Sequence, residues 1–256
     1  MKTTFGLIGY PLTHSFSKKY FTQKFQQAGC DDYEYLNFEL EDIASFPDLL
    51  EKHPSLAGLN VTIPYKRQIL KFTDEQSEVV QEIGAANTLT LTSGGKIVAD
   101  NTDVTGFERS IKPYLKPRHK RALILGTGGA AAAVAYVFDQ LQIEYLFVSR
   151  SPQNSRQISY ADLTEALLKN HLIVVNTTPV GTYPGIHESL PFPYNFVTDL
   201  HLFYDLIYNP AKTRFLQEAE KRGAFVLNGL RMLELQAEAS FEIWRKKSGL
   251  KFKKNC

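Results

Sequence analysis

The chain has 256 residues, enough for one large domain or two modest ones, and 43% of them are apolar, ordinary for a protein that buries a real core. A net charge of +2 is too near balance to attract nucleic acid or an anionic membrane, and the basic stretch 246–254 reads as a solvated end. Two distant cysteines, Cys30 and Cys256, imply no disulfide framework; Pro11 and His14 interrupt any signal-peptide core; no run approaches the ~18 apolar residues of a membrane span; the expectation is a cytoplasmic protein with no membrane partner.

The first half alternates strands and helices. Residues 5–9 form an apolar strand closed by Tyr10-Pro11. Ser15 or Ser17 can cap the next helix, which carries Tyr20, Phe21 and Phe25 at helical spacing and closes at Gly29. Strands are expected over 33–38 and 57–62, with a helix over 43–51 between them. Pro64 suits the first turn of a short helix bearing Tyr65 and Lys66, and Asp74 is expected to start another that ends near Gly84. Residues 88–92 and 96–99 flank Ser93-Gly94-Gly95, a hairpin signal. A helix over 105–114 leads to Lys116-Pro117-Arg118, the expected domain junction.

Residues 122–125 are a short apolar run suited to a buried parallel strand. Glycines follow at 126, 128 and 129, Ala131 completes a G-x-G-x-x-[GA] pattern, and an alanine-rich helix comes next. Strand, glycine turn and helix start together read as a dinucleotide-binding unit. Gly126 permits the turn, Gly128 lets backbone N–H groups approach a pyrophosphate, and Ala131 allows close helix–strand packing. The helix N-terminus adds a partial positive charge for that anion. After the next strand, 145–148, an NAD-binding unit carries an acid for the ribose 2′-hydroxyl; here the chain reads Ser149-Arg-Ser151. A guanidinium beside two hydroxyls suits a 2′-phosphate, so NADP is the expected cofactor. The rest of the unit is read as a helix over 159–169, strands over 172–175, 203–207 and 225–227, and a helix over 212–222. Residues 177–202 lack periodicity and carry four prolines. The last helix, 230–247, is too long to need only nucleotide-unit contacts and is expected to return to the first domain.

Lys66 stands just past a strand end in Asn60-Val-Thr-Ile-Pro-Tyr-Lys66, and Asp103 just past another in Asp100-Asn-Thr-Asp103. Open α/β sheets bind ligands at the carboxyl ends of strands. A lysine and an aspartate meeting there can orient an alcohol and move its proton, while a hydride acceptor completes its oxidation. By spacing alone Lys66 is equally a solvated lysine and Asp103 a helix N-cap. The six histidines show no metal-ligand spacing, so no metal is expected.

Further motifs occur in one order along the chain: Gly9-Tyr-Pro-Leu-Thr-His-Ser-Phe-Ser17, Asn60 to Lys66, Gly84-Ala-Ala-Asn-Thr88, Asp100 to Asp103 and Gly126-Thr-Gly-Gly-Ala130. After them come Asn176-Thr-Thr-Pro-Val-Gly181, Tyr204-Asp-Leu-Ile-Tyr208 and Gly229-Leu-Arg-Met-Leu-Glu-Leu-Gln236. In these the chain resembles the shikimate dehydrogenase family over essentially its whole length. The resemblance implies NADP-dependent interconversion of 3-dehydroshikimate and shikimate in aromatic amino-acid biosynthesis, by two α/β domains with the site in the cleft between them. The first is a substrate domain with a mostly parallel sheet, residues 1–103 completed by the C-terminal helix 230–256. The second is a Rossmann-type NADP-binding domain, 104–229. By motif position Lys66 and Asp103 match the catalytic pair, and Ser15 and Ser17 the ligands of the substrate carboxylate. Thr62, Asn87, Tyr208 and Gln236 line the rest of the substrate pocket. Gly126, Gly128, Gly129 and Ala130 hold the pyrophosphate, Ser149, Arg150 and Ser151 the 2′-phosphate, and Thr177, Gly229 and Met232 lie near the nicotinamide.

The chain departs from the family pattern at Lys18-Lys19, where a proline is usual; at Val104, where glycine is frequent; at Ser149-Arg-Ser151; and at Asn154, where a second basic residue often sits. The segment 152–158 is short for the family, which puts one crossover helix in question. The partners expected are the small-molecule substrate and, in a homodimer, a second copy; a monomer is equally compatible. Two rival functions stay open: a broader quinate/shikimate dehydrogenase using NAD, and a regulatory protein that senses NADP without turnover. The second has no need of both Lys66 and Asp103.

Overall fold

A computed structural model describes residues 2–12, 16–250 and 252. The first apolar run is β1 (Thr3–Gly9), followed by α1 (Phe16–Gln27), β2 (Tyr33–Glu39), α2 (Phe46–Lys52) and β3 (Leu56–Val61). β4 (Glu75–Gln76), α3 (Glu78–Ile83), β5 (Thr88–Leu91), β6 (Ile97–Asp100) and α4 (Asp103–Ile111) complete this stretch. The sheet order is β2-β1-β3-β5-β6-β4; β1 is parallel to β2 and β3, β4 is parallel to β6, and β5 is antiparallel to both β3 and β6. Side chains alternate between the faces, as strand geometry requires. Phe5 and Leu7 enter an aromatic cluster with Phe21, Phe25 and Tyr35, while Ile8 enters an aliphatic one with Ile43, Phe46 and Leu59. Gly6 lies under the Phe38 ring, where a Cβ would overlap it.

Three local expectations change. Ser17 is the second residue of α1 and buried, so it does not cap that helix; Ser15 lies outside the described residues. Residues 62–67 are turns and not a helix: Tyr65 N–H bonds Thr62 O, the Tyr65 hydroxyl turns inward onto Leu40 O, and a 3₁₀ segment starts only at Gln68. Asp74 does not start a helix. Its carboxylate accepts from Ile97 N at 2.7 Å, which draws 75–76 against β6, and α3 begins instead at the Ser77 cap.

The second half opens on β7 (Arg121–Leu125), α5 (Gly129–Gln140) and β8 (Glu144–Val148), then β9 (Gln157–Ile158), α6 (Glu165–Asn170) and β10 (Ile173–Asn176). β11 (Leu202–Asp205), α7 (Arg214–Glu220), β12 (Phe225–Leu227) and α8 (Leu230–Lys247) follow. The sheet is wholly parallel in the order β12-β11-β10-β7-β8-β9. Read from β9, that is the doubly wound 3-2-1-4-5-6 order, with its switch point between β7 and β10. No helix joins β8 to β9 among the described residues; residues 149–156 return directly, with Phe147 N bonded to Arg156 O. The helix expected over 159–169 is interrupted. Ser159 and Asp162 form a capping box on a 3₁₀ turn, and Thr164 then caps α6 afresh.

By Cα proximity one unit runs up to Thr105 and resumes at Gln236, and the other is Gly106–Leu235. The division falls inside α4, not at 116–118, where His119 ties down a turn by accepting from Lys116 N at 3.1 Å. The part of α8 from Gln236 onward belongs to the first unit. Ala237, Phe241 and Trp244 join its aromatic cluster, and the Trp244 indole stacks on Phe5 and donates to Leu89 O at 2.9 Å. Gly58 leaves room for that indole. Cys30 is buried in the same cluster and disulfide-bonded, which corrects the reading of two unlinked thiols; Cys256 lies outside the described residues.

Candidate active site

In the first unit the ends of β3, β5 and β6, together with α8, bring four of the expected residues together. Lys66, in the turn after β3, donates from Nζ to Asp103 Oδ2 at 2.6 Å. Asp103 opens α4, with its N–H bonded to Asn101 Oδ1, so its carboxylate is not spent capping its own helix. The other carboxylate oxygen accepts from Asn87 Nδ2 at 3.0 Å. The sense of the Asn87 amide is fixed because Thr102 N–H, which can only donate, lies 2.7 Å from Oδ1. Asn87 Nδ2 also approaches Gln236 Oε1, at 3.3 Å. The Lys66 and Asp103 side chains are 18% and 7% exposed, so the pair is largely shielded yet open at the lysine. A shielded, hydrogen-bonded ion pair holds its geometry far better than a surface one, and removing one partner strands the other charge.

Thr62 follows β3, half-buried, its N–H bonded to Ile8 O. Ser17 lies against β2, where its side chain bonds the Tyr35 hydroxyl. Sequence reading missed the buried polar residues beneath these groups: Tyr35, Asn60, Thr88, Thr102 and Ser240. One signal was available, Ser240 four residues after Gln236 on a helix face otherwise built from Ala237, Phe241 and Trp244.

In the second unit the expected cofactor residues follow the ends of β7, β8, β10 and β12, with Gly126 and Thr177 at the switch point. Gly126 has φ +109° and a Cβ there would press on the Thr177 hydroxyl, which itself donates to Leu125 O at 2.7 Å. Gly128 is the N-cap of α5, and nothing within 4 Å would meet a Cβ at that position. The first turn of α5, with Gly129 and Ala130, thus begins beside open space and has no capping side chain from its N-cap. Ser149, Arg150 and Ser151 follow β8; Arg150 is exposed, and Ser151 N–H closes the turn on Ser149 Oγ at 3.2 Å. No carboxylate stands at this strand end. An open glycine cradle and a guanidinium in place of the acid fit NADP. Gly229 N–H bonds Ile207 O, and a Cβ there would collide with Leu206 O; Met232 is buried one turn further on. Tyr208 is half-buried in the loop after β11 and belongs to this unit, unlike the other expected substrate residues described here.

Asp205 and Asn176, also unassigned from sequence, organise these loops. The Asp205 carboxylate accepts from Asn176 Nδ2, Ile207 N and Thr213 Oγ1, and Asn176 Oδ1 accepts from Thr178 N and Oγ1. Burial pushes the Asp205 carboxyl up to about 7 despite those three donors. Among the described residues no helix is long and apolar enough to cross a membrane, and no group of three or more His, Cys, Asp or Glu is placed to hold a metal ion.

A doubly wound nucleotide unit joined to an α/β unit that carries a shielded Lys–Asp pair defines a nucleotide-linked oxidoreductase. Residues 7–89 match the model of the shikimate dehydrogenase substrate binding domain. A shikimate dehydrogenase (NADP(+)) of Caldicellulosiruptor saccharolyticus is 40% identical over 93% of this chain and 90% of its own. Solved structures similar to this one include the shikimate 5-dehydrogenase of Thermus thermophilus in complex with NADP(H) and shikimate, with a TM-score of 0.83, 29% identity, and coverage of 96% of this chain and 94% of that one. Another is the quinate dehydrogenase of Corynebacterium glutamicum in complex with NAD, with a TM-score of 0.83, 27% identity, and coverage of 96% and 94%. The chain belongs to the shikimate dehydrogenase family.

Proposed function

We propose that this protein is an NADP-dependent shikimate dehydrogenase, which reversibly reduces 3-dehydroshikimate to shikimate. The observation that carries the reading is the 2.6 Å contact of Lys66 Nζ with Asp103, whose second oxygen is held by Asn87. Oxidising a secondary alcohol removes a hydride and a proton, and the nicotinamide, when bound, takes the hydride. The chain supplies the proton path. Lys66 and Asp103 together hold the substrate hydroxyl and receive its proton, or return it in the reducing direction. Asn87 and Gln236, on the other side of Asp103, orient the ring through its hydroxyls. Ser17 and Ser15 take the carboxylate, and Thr62 and Tyr208 each contribute a further contact to the substrate.

On the cofactor side, Gly126, Gly128, Gly129 and Ala130 hold the pyrophosphate at the start of α5. Ser149, Arg150 and Ser151 read the 2′-phosphate, and Thr177, Gly229 and Met232 border the nicotinamide. The near-balanced charge supports a small-molecule enzyme, monomeric or homodimeric, with no nucleic-acid partner. The test is the rate of NADP and NAD reduction with shikimate and with quinate, in all four combinations. Turnover of shikimate with NADP far ahead of the other three is expected. Faster turnover of quinate with NAD would replace this reading by the quinate one, and binding of NADP without turnover would replace it by a sensing role.

A further inference from the structure

Beneath the Lys66–Asp103 pair lies a buried hydrogen-bond network with one hydroxyl at its centre, Ser240 of α8, fully enclosed. Its Oγ is 2.9 Å from Asn60 Nδ2, 2.8 Å from Thr88 Oγ1 and 3.0 Å from Thr102 Oγ1. It also lies 2.9 Å from the carbonyl of Gln236, a second acceptor for its proton. Asn60 accepts from the Tyr35 hydroxyl at 2.8 Å, and Tyr35 bonds the Ser17 side chain. On the other side Thr88 and Thr102 both reach Asn87, and Asn87 reaches Asp103.

The contacts run around a closed ring. Asn87 Nδ2 donates to Thr102 Oγ1 at 3.0 Å, the Thr102 and Thr88 hydroxyls each share a hydrogen bond with Ser240 Oγ in which either oxygen can donate, and Thr88 donates back to Asn87 Oδ1 at 3.1 Å. Ser240 Oγ accepts from Asn60 Nδ2 and donates to the Gln236 carbonyl, with a lone pair left for a threonine hydroxyl. Rings of this kind polarise one another and hold their members in register. The remaining N–H of Asn87 faces Asp103 Oδ1 at 3.0 Å, with Gln236 Oε1 further off at 3.3 Å.

We infer that Ser240 is a positioning residue for proton transfer: it closes the ring that fixes Asn87 and Asp103, and joins that ring through Asn60 and Tyr35 to Ser17. The inference rests on the functional reading above. Ser240 touches neither Lys66 nor Asp103 and acts only through Asn87. Its hydroxyl comes from the C-terminal helix, far in sequence from the strand ends it orders.

The test is Ser240→Ala, measured alone and with Asp103→Asn. Ser240→Ala takes from Asn60 Nδ2 its 2.9 Å acceptor and from Thr88 and Thr102 the hydroxyl they share, leaving Asn60 and Thr102 only the longer contacts of the network, so kcat for shikimate oxidation should fall about five- to thirtyfold. The KM for shikimate should change far less, and the Kd for NADP not at all. In the Asp103→Asn background the same substitution should change kcat little, because groups acting as a unit are non-additive. Folding is followed by emission of Trp244, the single tryptophan, which sits one turn along the same helix. If Ser240→Ala does not fold, Ser240→Cys, close in size but a weak donor and acceptor, should show the same pattern with a smaller loss. Wild-type kcat in the folded variant overturns the inference, as does an equal loss in both backgrounds or a loss confined to NADP binding. Near wild-type kcat in Asp103→Asn alone refutes the functional reading itself, whereas a crippled Asp103→Asn beside an unaffected Ser240→Ala refutes only this inference.

Discussion

Replacing Asp103 by asparagine tests the proposed chemistry most directly, because the structure shows what the change does. Both carboxylate oxygens now accept, one from Lys66 Nζ at 2.6 Å and one from Asn87 Nδ2 at 3.0 Å. An amide has one oxygen, so one of those donors must face an NH₂ group. The loss is one charge-assisted hydrogen bond, about 1.5–3 kcal/mol, with a buried donor left unpaired besides. If that loss fell wholly on the transition state it would amount to roughly ten- to a hundredfold in rate. Removal of the carboxylate as a proton-transfer partner adds to it, so kcat should fall by about 10²–10⁴. The KM for shikimate should change much less, because the steric shape of the pocket is kept. Lys66→Ala should give a loss of the same order, and the double variant less than the product of the two. The assay is NADPH absorbance at saturating NADP over a range of shikimate, on variants whose Trp244 emission matches wild type. A folded Lys66→Ala protein with near wild-type kcat would remove the lysine from the mechanism, and a strictly multiplicative double variant would show that the two groups do not act together.

Arg150→Ala should weaken NADP binding by about ten- to a hundredfold, the worth of a charge-assisted contact, and leave NAD nearly unchanged; equal losses in a fluorescence titration of both cofactors would show that Arg150 does not read the 2′-phosphate. Ser17→Ala should raise the shikimate KM more than it lowers kcat and leave NADP affinity alone, the pattern of lost uniform binding; an unchanged KM would take Ser17 out of the carboxylate site. The third concerns acid stability of the second unit. Burial holds His119, His171 and His201 below the ordinary histidine range. His119 and His201 each accept a backbone N–H at Nδ1, where an added proton would meet another donor. These groups are neutral in both states above about pH 6.5, and the unfolded chain takes up protons first below it, so stability is lost as pH falls from there towards the folded values. Asp205 has the opposite sign: raised to about 7, it binds its proton first in the folded state and offsets part of that loss as pH falls below 7. The melting midpoint followed by circular dichroism should drop as the pH is lowered below neutrality, and more steeply in Asp205→Asn; a parallel curve for that variant would show that Asp205 does not titrate there.

Much was legible in the sequence because it is local. A strand, a glycine turn and a helix start lie side by side in residues 121–140, so the dinucleotide unit could be read from propensity and turn chemistry, and the missing acid after β8 could be read by position. The end of β12 and both ends of α8 also fall where periodicity puts them. The misreadings come where a tertiary partner outbids a local signal. Asp74 has good helix-start chemistry, but Ile97 N–H captures its carboxylate. Asp103, by contrast, meets Lys66 as its motif implies in spite of good local capping chemistry, because Lys66 and Asn87 take both of its oxygens. The ring through Ser240, Thr88 and Thr102 is not legible as a ring, since its members are small hydroxyl residues from distant segments whose motifs and spacing do not say that they meet. Sequence by itself determined which chemical groups this protein has and which local elements carry them. Only the tertiary structure decided which of those groups meet, because a buried donor must find an acceptor wherever the fold offers one, irrespective of distance along the chain.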